Sequence, residues 1–179
     1  MKKQEKLDVL NKGAAEKLIC RCSFECEAYD VYLYPCDVND KFLLAREEED
    51  FLLNGYCIRK LSRLKKVELR RDKCSEIARL FGVTDGVTRL DMDFSSWRAA
   101  LTSLMSMDSY AEIETDDGAF CIGRITGAGR SSALIRCFDA DGVWADVSTE
   151  IPYSRIVTVK WDTRYGKYWR MYLDRTSDN

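Results

Sequence analysis

The chain has 179 residues, with 28 Lys and Arg against 30 Asp and Glu, a formal charge of −2 and no histidine. The missing histidine excludes Ser-His-Asp and Cys-His catalysis and every histidine-ligated metal site. A hydrophobic content of 46% marks an ordinary globular chain, and no apolar run approaches the ~20 residues that span a bilayer. The start, Met1-Lys2-Lys3-Gln4-Glu5-Lys6, is basic but leads into no apolar segment, so a cytoplasmic protein without membrane association is expected.

In chain order, Leu7, Leu10 and Ala14 predict a first helix that ends or kinks at Asn11-Lys12-Gly13. Strands are then expected over residues 17–25, 29–34, 41–45, 51–58 and 64–69. In the first of these, Leu18, Cys20, Cys22, Phe24 and Cys26 recur at every second residue and so share one face. The 8 cysteines are therefore read as small buried hydrophobes in a reducing compartment, and no CxxC pairs point to zinc. The run Arg46-Glu47-Glu48-Glu49-Asp50 reads as a solvated hairpin loop rather than a cation site, because it has no glycine to wrap an ion.

The densest charge follows. Arg59, Lys60, Arg63, Lys65, Lys66, Arg70, Arg71 and Lys73 face only Glu68 and Asp72, a local charge of about +6. Two readings stand: a track for nucleic-acid phosphates or an acidic partner, and a solvated edge strand whose cations discourage association. Ile77, Leu80 and Phe81 then predict a helix, and Gly82-Val83-Thr84-Asp85-Gly86 a linker.

A second helix start follows, with Asp93 or Ser95 as cap and Trp97, Leu101, Leu104 and Met105 on one face. Strands are expected over residues 110–115, 120–125, 132–138, 143–149 and 156–161, with tight turns at Asp116-Asp117-Gly118 and Asp139-Ala140-Asp141-Gly142. Thr126-Gly127-Ala128-Gly129-Arg130 reads as a hairpin turn. In the last helix Tyr165, Trp169 and Tyr172 lie at helical spacing, predicting packing on the sheet rather than stacking on bases, with Lys167 and Arg170 in water.

The two halves share a pattern. Ser62-Arg63-Leu64-Lys65-Lys66-Val67-Glu68-Leu69 aligns with Ser154-Arg155-Ile156-Val157-Thr158-Val159-Lys160-Trp161, and the register runs on to match Ile77 with Trp169, Leu80 with Tyr172 and Phe81 with Leu173. A strand-then-helix signature at fixed separation predicts two copies of one small unit.

Within the second copy, Tyr110-Ala111-Glu112-Ile113-Glu114-Thr115-Asp116-Asp117-Gly118 leads to Phe120-Cys121-Ile122-Gly123-Arg124-Ile125, a turn glycine before a strand with a second, bend-permitting glycine. With Ile151-Pro152-Tyr153-Ser154-Arg155-Ile156-Val157-Thr158-Val159 as a closing segment, this resembles the Sm-like (LSm) family of SH3-like small barrels. The resemblance implies the barrel fold and, as the family's usual activity, RNA binding on a ring of subunits. The family's uridine-pocket stretch and its Arg-Gly pair have no match in residues 129–135 and 147–155, so the fold carries over and the pocket does not.

The expectation is thus a mainly β chain with α: two tandem five-stranded Sm-like/SH3-like barrels with flanking helices, over residues 1–83 and 93–179 with a linker at 84–92. No phosphate-binding glycine loop or nucleophile elbow occurs, so a non-enzymatic binding or scaffolding protein is expected, with no cofactor, metal or small-molecule substrate. Its partner would be another protein or a second copy; the alternative is RNA or single-stranded nucleic acid on segment 59–73.

Overall fold

The structure, a computed structural model, describes residues 1–25 and 27–176. Cys26, placed by its spacing with Cys20 and Cys22, lies outside the described residues. The chain divides into two units, Met1–Asp91 and Met92–Asn179.

The first unit runs α1 (Lys3–Glu16), β1 (Cys20–Phe24), β2 (Val31–Val38), β3 (Phe42–Glu49), β4 (Leu52–Lys60), β5 (Leu64–Leu69) and α2 (Lys73–Leu80). The second runs α3 (Trp97–Ser106), β6 (Tyr110–Thr115), β7 (Phe120–Ala128), β8 (Ser132–Cys137), β9 (Thr149–Pro152), β10 (Ile156–Trp161) and α4 (Arg164–Thr176). Among the described residues the protein is mainly β with four α-helices. Strand order is β5-β1-β2-β3-β4 in the first unit and β10-β6-β7-β8-β9 in the second, the same permutation.

That order forces the five strands of each unit to curl. In a flat sheet β5 and β4 would lie four strand spacings apart, about 19 Å. The chain from Lys60 to Leu64 spans at most about 14 Å even when extended, and Leu61–Arg63 is wound into a 3-10 turn. Residues 153–155 make the same short connection between β9 and β10. The ladder nevertheless stops one pairing short of the closed barrels expected: among the described residues no pairing joins β4 to β5 or β9 to β10. A three-residue turn joins the strands end to end and redirects the chain, instead of laying them side by side.

In the first unit the alternation of β1 points Cys20, Cys22 and Phe24 inward, onto a core with Leu10, Leu33, Leu43, Leu64 and Val67. Helix α1 does not break at Gly13; it continues to Glu16 and ends where Lys17 takes a left-handed φ of 48°. Gly13 is there for packing: a Cβ would stand 2.8 Å from the Cys20 sulfur and 3.1 Å from Pro35. β2 also runs past its expected end at Tyr34. Its ladder takes a bulge between Pro35 and Asp37, the kind of place where a strand tolerates proline.

The acidic run is strand, not loop. β3 extends through Glu49, and Asp50 and Phe51, at φ 49° and 66°, make the two-residue turn into β4. In the second unit β7 likewise runs through Gly127 to Ala128, with a bulge at Ile125/Gly127, so the turn comes later than the glycines suggest. Gly123 is required on steric grounds, since a Cβ would meet the Arg136 carbonyl oxygen at 1.9 Å. The expected strand over 143–149 is mostly loop, with a Phe138–Trp144 bridge before β9 begins at Thr149. Helix α3 is capped by Ser96, whose side chain accepts from the Ala99 N–H at 3.1 Å; Trp97, Leu101 and Leu104 are buried, Met105 is not.

Candidate binding surfaces

The eight cations of segment 59–73 do not form one track. Arg59 is 2% exposed, on β4, with Nη1 2.5 Å from Glu27 and Nη2 2.9 Å from Glu47, and its guanidinium lies 5.0 Å from the Phe24 ring. Burial disfavours its charge, but Cys57 together with the Glu47 and Glu27 carboxylates offsets this, and its pKa stays above the ordinary value. Arg59 is a structural cation.

The others disperse. Lys60 is half-buried and turns toward the start of α1; Arg63 is half-buried in the turn before β5. Lys65 and Lys66 are exposed on β5, with Lys66 2.7 Å from Glu68. Arg70 sits over the Tyr32 ring at 4.7 Å and pairs with Asp72, which also caps α2 by accepting from the Ser75 N–H at 3.1 Å. Arg71 lies 3.6 Å from Glu16, and Lys73 2.8 Å from Glu76.

A surface that sequence reasoning assigned to packing is α4. Thr163 caps it, its Oγ accepting from the Gly166 N–H at 2.9 Å while its hydroxyl donates to the Glu112 carboxylate. Gly166 lets the helix approach, since a Cβ would stand 3.1 Å from that carboxylate. Gly166, Trp169 and Leu173 then form the inward stripe, Trp169 packing 5.0 Å from the Phe138 ring and Leu173 only 4% exposed.

One residue round the helix lies a second stripe: Tyr165, Tyr168 and Tyr172, all more than half exposed, with Tyr168 at 67%. Only Trp169 of the expected packing trio turns inward. The rings run in sequence, Phe120 to Tyr165 at 6.5 Å, Tyr165 to Trp169 at 6.3 Å and Trp169 to Tyr172 at 5.9 Å. Tyr165, Trp169 and Tyr172, with Tyr168, border an open hollow of about 680 Å³ that Ala140 and Asp141 also line. Arg170, expected in water, instead clamps the turn before β6, donating to the Asp108 carbonyl at 2.6 Å and carboxylate at 2.9 Å.

Three of the free thiols are held protonated by burial. Burial pushes Cys20 up to about 12, Cys36 up to about 11 and Cys22 well above its ordinary value. The sequence reading treated all the cysteines as reduced; the structure joins Cys121 on β7 to Cys137 on β8 in a disulfide. Neighbouring strands bring that pair together, and nothing in their spacing of 16 announces it. Among the described residues no group of three or more Cys, Asp or Glu is placed to hold a metal ion, and no helix is long and apolar enough to cross a membrane.

Comparison with protein-family models finds no match, and no curated protein or solved structure is significantly similar to the chain.

Proposed function

We propose that the protein is a non-enzymatic binding module whose partner is another protein, docked on the aromatic face of α4. The carrying observation is the exposed stripe of Tyr165, Tyr168 and Tyr172 beside the hollow over Trp169. Rigid aromatic side chains supply large contact area at low entropic cost and dominate interface energetics. Arg164 and Lys167 flank the stripe on exposed positions of the same helix, so charge complementarity favours an acidic segment bearing apolar anchors.

In this reading each unit is a variant of the Sm-like/SH3-like five-stranded barrel, and the chain arose by duplication. The shared strand order and the three-residue links before β5 and β10 support that view. The offset that aligns Ser62 with Ser154 also superposes the bounds of β5 and β10. The nucleic-acid alternative on segment 59–73 loses weight because Arg59 is buried and Lys66, Arg70, Arg71 and Lys73 each face a carboxylate.

The test is fluorescence polarisation with two labelled peptides, one of alternating Glu with Leu and Phe, one with Lys in place of Glu. Saturable binding of the acidic peptide alone, lost in Tyr168→Glu, supports the reading. Equal binding of both peptides, or no effect of the variant, overturns it. A concentration-dependent dimer abolished by Tyr168→Glu would make a second copy the occupant instead, and single-stranded RNA binding lost in Lys65→Glu/Lys66→Glu would restore the alternative.

A further inference from the structure

In the first unit, three segments distant in sequence bring four lysines around one hollow. Lys3 and Lys6 come from the first turns of α1, Lys41 from the β2–β3 turn, and Lys60 from the end of β4. The hollow has a volume of about 450 Å³ and contains one carboxylate, Asp40, with the Ser62 hydroxyl at its rim. Phe42 and Leu61, both buried, form apolar wall.

This convergence runs against the rest of the molecule. The chain has more acidic than basic residues, and elsewhere in the unit exposed Lys66, Arg71 and Lys73 sit beside carboxylates. Here the side chains of Lys3 and Lys41 make no hydrogen bond or ion pair among the described residues. Lys6 spends its ammonium on the Leu64 carbonyl, which holds it in place and leaves the charge uncompensated. The positive end of the α1 dipole adds to the same field, although Lys3 and Lys6 occupy turns where acidic residues are preferred. Like charges gathered against an apolar wall repel one another more strongly than in open water.

We infer that the hollow is a binding site for a small polyphosphate, a ligand with two or more adjacent phosphate groups. Such a ligand supplies several acceptor oxygens within a few ångströms, matching lysines contributed by three separate segments around the hollow. The volume falls in the range of ordinary small-ligand sites. Lysines rather than arginines suit it, because a compact ammonium contacts phosphate as a point charge without demanding one planar geometry. Of the eight cations of segment 59–73 only Lys60 lines the hollow, so the site differs from the track read in the sequence and from the aromatic face of α4.

The experiment is calorimetric titration of the intact chain with tripolyphosphate at about 150 mM salt, where exposed charges are screened beyond ~8 Å. One saturable site is expected, weakened roughly tenfold or more in Lys3→Glu/Lys41→Glu. The control Lys65→Glu/Lys66→Glu changes net charge equally on β5 and should leave affinity within about twofold. Equal affinity for tripolyphosphate and a nucleoside triphosphate assigns recognition to the phosphates; tighter nucleotide binding extends it to the base, and both support the site. No saturable binding, or equal weakening by the two double variants, overturns it. Overturning it too would be single-stranded RNA binding more tightly than either ligand and lost in the same variant. Circular dichroism of both variants separates loss of binding from loss of fold.

Discussion

The guanidinium of Arg59 and the carboxylate of Glu47 meet at 2.9 Å inside the first unit. They come from the chain's most basic and most acidic runs, on the neighbouring strands β4 and β3. Two segments that look like opposite surface patches in one dimension thus compensate each other where water is largely excluded. A buried ion pair of this kind matters chiefly when broken, because the surviving partner keeps its desolvation cost.

Arg59→Met should therefore destabilise the first unit by about 3 kcal/mol, leaving Glu27 and Glu47 without their cation. Adding Glu27→Gln and Glu47→Gln should recover most of that loss. Urea unfolding of the single and triple variants checks both. A single variant as stable as the parent would remove the structural role assigned to Arg59.

The two stripes of α4 predict opposite responses to the same kind of truncation. Trp169→Ala empties space against Phe138 and should cost about 3 kcal/mol. Tyr168→Ala, on the exposed stripe, should stay within about 0.5 kcal/mol of the parent. Thermal unfolding of the pair distinguishes a packing helix from one that packs along one stripe and presents another.

Asp117 gives a pH dependence of known sign. The Thr115 hydroxyl, at 2.5 Å, and then Arg155 hold its pKa down from 3.8 to about 2. A depressed carboxylate contributes stability above its unfolded pKa and loses it as pH falls through the folded value. The support it lends the β6–β7 turn should thus fade between about pH 4 and pH 2, and Asp117→Asn should flatten that window. A carboxyl-carbon NMR titration reads the midpoint directly; a midpoint near 4 would contradict the geometry.

The disulfide predicts a redox dependence. Closing a loop of 16 residues restricts the unfolded chain, and its loss through Cys121→Ser should cost about 3 kcal/mol without reductant. With reductant present, parent and variant should unfold together. A parent whose midpoint ignores reductant would show that the bond carries no stability.

Much of the fold is legible because local patterns and tertiary demands agree. Cys20, Cys22 and Phe24 alternate and face inward; Trp97, Leu101 and Leu104 recur at helical spacing and are buried. Departures occur where a local signal was answered by a distant contact. Gly13 looked like a helix breaker, yet the helix continues because the sheet needs the missing Cβ. Glu47 looked solvated because its cation lies on the next strand. The lysines of the polyphosphate hollow lie too far apart in sequence, from Lys3 to Lys60, to be seen as one group.

Periodicity by itself determined two α-β-α units, the inward phase of the first strand and the matched strand-helix ends at Ser62 and Ser154. Those depend on spacing along the chain, which the chain carries in full. Tertiary structure alone decided which charges are neutralised, which aromatics stay exposed and which cysteines pair. Each depends on strands and helices that meet across the sheet. A charged segment becomes a surface only when nothing folds back to cover it, and for Arg59 something does.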